Sequence, residues 1–349
     1  MAKNPIVVGT TFAALAALAF GITTPFLQRL GAGVGPFTTA ALLYLGAAIG
    51  GVSWPGRRKE QKEARVRLGH LPRLAAISIF GAALAPTLFV WGLQRVPATY
   101  GSLLLNGEAF FTIGLAALIH REHIGRRVSL AALLIFAGGT TTVASASATG
   151  SVSLLGAVAI VVAVFCWAVD NVLTRPFADL DPAAVVRVKA LCGVGLTGLL
   201  AVLFGEPRPS WVPVAGLLTC GVTGYGVSLR LYLLAQRRIG AGRTGSVFAV
   251  APFVGALVAI LLGDRNLGIA TLAAALLFVA GVALHLTERH RHKHSHEELS
   301  HDHAHSHDDG HHDHYHEVMP KEPHSHPHKH DALIHAHPHG PDTHHGHRH

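Results

Sequence analysis

Between residues 5 and 287 the chain is a succession of apolar runs, each about twenty residues long, and this limits its fold more than any other feature. In hydrocarbon every backbone N–H and C=O must be satisfied within its own segment, so such runs become spanning helices. Ten runs are read, near 5–26, 35–54, 74–94, 98–119, 127–146, 152–173, 183–204, 212–235, 244–262 and 268–287. The first continues to Phe26 and is followed at once by others, so it reads as an uncleaved span rather than a signal peptide. Lys and Arg cluster in short loops, so the net charge of +8 reports topology and not a nucleic-acid surface. With the N-terminus inside, 21 basic residues fall on the inner side and 4 on the outer, or 15 against 4 without the last sixty-odd residues. The expectation is a multi-pass protein of the plasma membrane, the inner membrane in a bacterium, with both termini cytoplasmic. Cys166, Cys192 and Cys220 sit inside apolar runs without a CxxC pair, which argues against a disulfide framework or a thiolate metal site.

The body is self-similar. FFTIGLAALIHREHIGRRVSLAALLIFAG, within residues 110–138, matches PFVGALVAILLGDRNLGIATLAAALLFVAG, within 252–281. Phe111 aligns with Phe253, Glu122 with Asp264, Gly125 with Gly268, and Ala137-Gly138 with Ala280-Gly281, a spacing of 142–143 residues with one insertion. Five spans per repeat is an odd number, so the second repeat enters from the opposite side. Inverted repeats of this kind build alternating-access carriers whose solute sits near the midplane at the repeat interface. The expected architecture is all-α and integral to the membrane: ten helices in two inverted five-helix repeats, 1–146 and 147–287, followed by a disordered His-rich cytoplasmic tail, 288–349.

These blocks, with LLLNGEAFFT in the fourth run and FCWAVDNVLTR in the sixth, resemble the EamA-like permeases of the drug/metabolite transporter superfamily. The resemblance covers roughly residues 5–287. GRTGSVFAVAPFVGALVAILLGD followed by HLTERHRHKHSH looks like a branch of these permeases that carries a His-rich tail. The resemblance implies a carrier of a small metabolite, amino acid-like or drug-like solute and does not name the cargo. Asp264, followed by an extra residue, stands where the family usually has Glu.

Ionisable groups inside apolar runs are expensive and mark pathways. Glu108, beside Asn106 in the fourth run, is read as a proton acceptor or cation ligand, weighed against a packing carboxylate. Asp170 and Asn171 lie near the inner end of the sixth run with Arg175 beyond, either lining a cavity mouth or anchoring the helix end. Arg187 and Lys189 in the seventh run are read mainly as snorkelling cations. Arg230 lies deeper, in the eighth run, and is the better partner for Glu108, Asp170 or an anionic solute group. Tyr225 and Tyr232 flank it, with ordinary packing as their simpler role. Glu122 and Asp264 each follow a run on opposite sides, as a gate or a plain helix cap. His120, Glu122 and His123 form a weak metal-like cluster in a solvated loop. Pro25, Pro86 and Pro252 lie inside runs and predict kinks.

Twenty-three of the 27 histidines lie between His290 and His349. HxH steps through His290, His292, His294, His296, His301, His303, His305, His307, His311, His312, His314 and His316, interspersed with Asp and Glu, suit zinc, nickel, cobalt or copper. The tail lacks the apolar periodicity that builds a core, so it is expected to be disordered without metal. The body calls for no cofactor and contains no catalytic cluster, so an enzyme is not expected. Carriage of an organic solute with metal-linked regulation comes first. Carriage of a divalent transition metal, with the tail as collector, is the alternative. The partners are then the solute, divalent metal and lipid, with no nucleic acid. A homodimer stays open, since small-residue faces such as GAALAPT also serve packing within one chain.

Overall fold

The computed structural model describes residues 5–52, 68–120, 125–148, 153–174, 177, 182–265 and 268–286, together with the backbone of 290–295, 299–305, 324–330 and 334–339. The body is all-helical over these residues. Its helices are α1 (Pro5–Leu30), α2 (Pro36–Val52), α3 (Leu71–Ile77), α4 (Ala85–Leu93), α5 (Ala98–Leu104), α6 (Gly107–His120) and α7 (Arg126–Ala148). The second half comprises α8 (Leu154–Thr174), α9 (Pro182–Leu203), α10 (Trp211–Cys220), α11 (Ser228–Phe248), α12 (Ala251–Leu261) and α13 (Ile269–Leu286). Eight helical stretches are long and apolar enough to cross a membrane; Pro36–Gly50 and Ile269–Leu284 are apolar but shorter.

Two spans carry a π-helix at their centre. Ser78–Leu84 joins α3 to α4, and Gly221–Val227 joins α10 to α11. In each the following N–H reaches five residues back, Ala85 to Phe80 and Ser228 to Thr223. In the first, Pro86 lacks an N–H and its ring crowds the preceding turn, which a widened turn relieves. The second contains no proline but three glycines in GVTGYGV. The two segments begin 143 positions apart, Ser78 to Gly221.

Two features refine the sequence reading. The fourth span is not continuous: α5 ends at Leu104 and α6 starts at Gly107, with Asn106 N–H bonding the carbonyl of Leu103 three residues back. The same kind of break separates α11 from α12, and Pro252 sits in the first turn after it, where a missing N–H costs nothing. In the tail four segments run extended: β1 (His290–Ser295) pairs antiparallel with β4 (Ile334–His339), and β2 (Leu299–His305) with β3 (His324–His330). The alternation of His with another residue has the two-residue period of a strand.

α11 folds back on itself. The rings of Tyr232 and Phe248 meet at 5.0 Å, whereas sixteen residues of straight helix would hold them about 24 Å apart. The turn lies between the spans that end at Gln236 and begin at Arg243.

The largest core cluster draws Leu43 and Tyr44 from α2, Phe89 and Leu93 from α4, Ile160 and Trp167 from α8, and Leu217 from α10. Helix approach is set by small residues, as in other membrane bundles. A β-carbon on Gly46 would strike the carbonyl of Leu218, and one on Gly221 the carbonyl of Leu43. Leucines such as Leu199, Leu203, Leu257, Leu261, Leu272 and Leu276 point outward and are exposed, the side a bilayer would cover.

Candidate functional site

Where α2, the first π-helix, α6, α8 and α9 meet, a group of polar side chains gathers inside the body. The Gly81 carbonyl is its hub. Tyr44 Oη donates to it at 2.6 Å and Trp167 Nε1 at 3.3 Å. A carbonyl loosened from a regular ladder is free to accept such bonds. Gly81 also abuts the Asp170 carboxylate so closely that a β-carbon there would overlap it.

Asp170 is buried on α8. Its Oδ2 accepts from Lys189 Nζ of α9, and its Oδ1 accepts from Thr174 Oγ1 at 3.4 Å. The paired side chains are 5% and 12% exposed, so each charge depends on the other rather than on water. Lys189 therefore does not snorkel: α9 brings it to the interior because its partner on α8 lies inside. Arg175, the neighbour weighed for Asp170, lies outside the described residues.

Glu108 opens α6, just after the break, and its Oε1 accepts from Asn171 Nδ2 at 2.5 Å. Asn171 stands seven and eleven positions beyond Val164 and Ile160, so it shares their helix face, which is fully buried. Asn171 itself is exposed. Since α8 ends at Thr174, Asn171 lies near the end of the body where α1 begins and α13 stops, called here the terminal end.

The other predicted residues divide. Asn106 is buried and spends its side chain on Leu103 O at 3.0 Å, closing the last turn of α5. Tyr225 is buried in the second π-helix, its ring 5.9 Å from Phe20 and 5.7 Å from Tyr44. Its hydroxyl has no hydrogen-bond partner among the described residues. Arg230 is half-buried on α11. Asp264 is far from this group, at the opposite, distal end of the body, where its Oδ2 accepts from Thr99 N at 3.0 Å. Glu122 and His123 lie outside the described residues, as does every tail side chain. Among the described residues no group of three or more His, Cys, Asp or Glu is placed to hold a metal ion.

Tyr44, Trp167, Gly81 and Thr174 escaped sequence reasoning because tyrosine, tryptophan and threonine are ordinary in apolar spans. Glu206 escaped it too, although a signal existed. Gly205-Glu206 and Gly263-Asp264 are the same glycine–acid pair at the end of an apolar run.

The chain has relatives. It is 27% identical over 232 residues to an uncharacterized transporter of Methanothermobacter thermautotrophicus, covering 64% of this chain and 67% of the relative. It is 28% identical over 252 residues to an uncharacterized protein of Pseudomonas aeruginosa, covering 72% of this chain and 84% of that one. A solved crystal structure superimposes with a TM-score of 0.59 at 19% identity, covering 79% of this chain and 96% of the other, which is a likeness of fold. The EamA-like transporter model matches residues 7–143 and again 154–287, once in each half. A body of apolar helices with a buried polar centre, matched twice by that model, belongs to the EamA-like transporter family: the protein is a multi-pass membrane transporter and not an enzyme.

Proposed function

We propose that the protein is a secondary carrier of a small organic solute, working by alternating access between two inverted five-span halves, with the Glu108–Asn171 and Asp170–Lys189 pairs as its binding centre. The observation that carries this reading is the meeting of four ionisable or amide side chains from α6, α8 and α9 beside a π-helix. Ion pairs buried in a membrane body stabilise poorly against an apolar alternative, so their presence argues for use. The inverted-repeat reading is supported by the two π-helices 143 positions apart, matching the 142–143 spacing of the sequence repeat. The unpartnered hydroxyl of Tyr225, on the second π-helix, is a hydrogen-bonding group left over for a solute. The excess of basic residues on one side supports a cytoplasmic position for both termini.

The test is solute and metal profiling of cells carrying the full chain or its Glu108→Gln variant. The intracellular level of at least one organic solute is expected to change severalfold with the native protein and to stay at the empty-vector level with the variant. Identical profiles for native and variant protein would end the assignment of Glu108. A second reading, carriage of zinc, nickel or cobalt, gains if only metal content changes.

The His-rich tail is proposed to bind divalent transition metal and to tune transport. Support comes from the strand register, which sets His292 opposite His337, His294 opposite His335, His301 opposite His328 and His303 opposite His326. Titration calorimetry with zinc or nickel is expected to show several ions bound to the full chain and lost on deletion of residues 288–349. Equal heats from both proteins would remove the tail from the scheme.

A further inference from the structure

We infer that Glu206 and Asp264 are positioning residues that hold the distal mouth shut, each by capping the first turn of a helix in the other half. The inference rests on the carrier reading and names the bonds that must part for the second access state.

The two acids are built alike. Each follows a glycine in the left-handed region, Gly205 at φ 64° and Gly263 at φ 100°. Each ends its helix with the same two backbone bonds. Gly205 N reaches Val202 O at 3.1 Å and Glu206 N reaches Ala201 O at 2.9 Å; Gly263 N reaches Ile260 O at 2.9 Å and Asp264 N reaches Ala259 O at 3.0 Å. This helix stop turns the chain sharply and aims the next side chain back across the membrane face. Glu206 Oε1 accepts from Phe37 N at 3.0 Å, and its Oε2 from Thr38 N and Thr38 Oγ1, both at 2.7 Å. Asp264 Oδ2 accepts from Thr99 N. The receiving helices begin beside Pro36 and Pro97, and Pro97 offers α5 no side-chain cap of its own. Each bond joins the segment matched at 154–287 to the segment matched at 7–143.

Bonds within the first half differ in kind. Gln28 Nε2 donates to Leu93 O and Val96 O, and Gln94 Nε2 donates to Gly31 O and Val34 O. These reciprocal amide bonds tie the α1–α2 and α4–α5 loops into one body. Among the described residues, the bonds that cross between the halves at this end include the two carboxylate caps, Arg29 on Leu262 O, Ser153 N on Arg95 O, and Thr271 Oγ1 donating to Tyr100 Oη at 3.1 Å. A carboxylate on a helix N-terminus is charge-assisted and also meets the helix dipole, so it closes firmly; at the wet membrane edge water can replace its partners, so it reopens.

The test uses the full chain in membrane vesicles of each orientation, with Cys166, Cys192 and Cys220 replaced by alanine. One reporter is Ser102→Cys, fully buried on α5 where a β-carbon on Gly255 of α12 would meet it at 2.8 Å. The other is Asn171→Cys. The probe is a bulky, membrane-impermeant maleimide. With Glu206→Gln and Asp264→Asn combined, position 102 is expected to label about tenfold faster from the distal face, the loss of two caps. Position 171 should label more slowly from the terminal face. Each single variant should give a smaller change of the same sign, and Glu206→Asp should restore most of the native rate. An unchanged rate at position 102 would overturn the latch. Faster labelling at both positions would also overturn it, by showing a loosened fold. Neither result touches the carrier reading, which stands or falls on solute flux in Glu108→Gln.

Discussion

Lys189→Met is expected to lower the stability of the detergent-solubilised protein by about 3–5 kcal/mol, the usual cost of stranding one member of a buried ion pair. Asp170 keeps only the Thr174 hydroxyl once the ammonium is gone, and at 5% side-chain exposure it has little recourse to water. Its carboxylate also lies against the Gly81 backbone. Asp170→Asn alone should also destabilise, since the lysine is then unpaired. The double variant Asp170→Asn with Lys189→Met should recover most of the loss, because two neutral side chains of similar size need no counter-charge. The four midpoints of thermal unfolding form a double-mutant cycle, and their coupling energy is the quantity to read. A cycle that closes additively would mean that the pair carries no interaction energy and that Lys189 is not the counter-ion. Solute flux should separate from stability here: the double variant folds but has lost the charges of the binding centre, so its flux stays at the empty-vector level.

Gly81→Ala is the second large effect. The added methyl would land on the Asp170 carboxylate, and the clash cannot be relieved by turning a free side chain, because that carboxylate is held by Lys189. Either α8 moves away from the π-helix or the ion pair is rebuilt. Overpacking of this kind costs about 1–3 kcal/mol, and it displaces the carbonyl that Tyr44 and Trp167 use. Gly224, the matching glycine of the second π-helix, supplies the control. The nearest atoms to a β-carbon there belong to the Thr23 side chain, whose hydroxyl bonds Ala19 O at 2.7 Å within its own helix. Gly224→Ala should therefore cost less than Gly81→Ala in both unfolding midpoint and flux. Equal effects would mean that backbone widening, not the proximity of Asp170, makes Gly81 irreplaceable.

The residues that sequence reasoning found and those it misjudged differ in one respect. Glu108, Asp170 and Asn171 announce themselves because a polar or charged group inside an apolar run is costly wherever it ends up. Lys189 announces itself as well, but a lysine seven residues from a helix start can reach water or turn inward, and the sequence of α9 alone does not decide between them. The decision is made by α8, which presents a carboxylate at that depth. Asp264 was read as a gate or cap, while its partner, Thr99, lies 165 positions away. Glu206 was passed over, although its glycine–acid pair repeats that of Asp264, since a single acid in a polar loop carries no local signature of a distant helix end.

The sequence by itself determined the apolar, helical membrane body and the family, because hydropathy, span length and local self-similarity are properties of consecutive residues. It also held the register of the internal repeat, which reappears in the positions of the two π-helices. Tertiary structure alone decided which charges meet, that the fourth span breaks at Leu105–Asn106, and that two carboxylates cap helices of the other half. Those outcomes depend on which atoms arrive at the same depth from separate helices. Depth is fixed by how small residues such as Gly46, Gly81 and Gly221 let the helices approach, and no single run of the sequence contains that information.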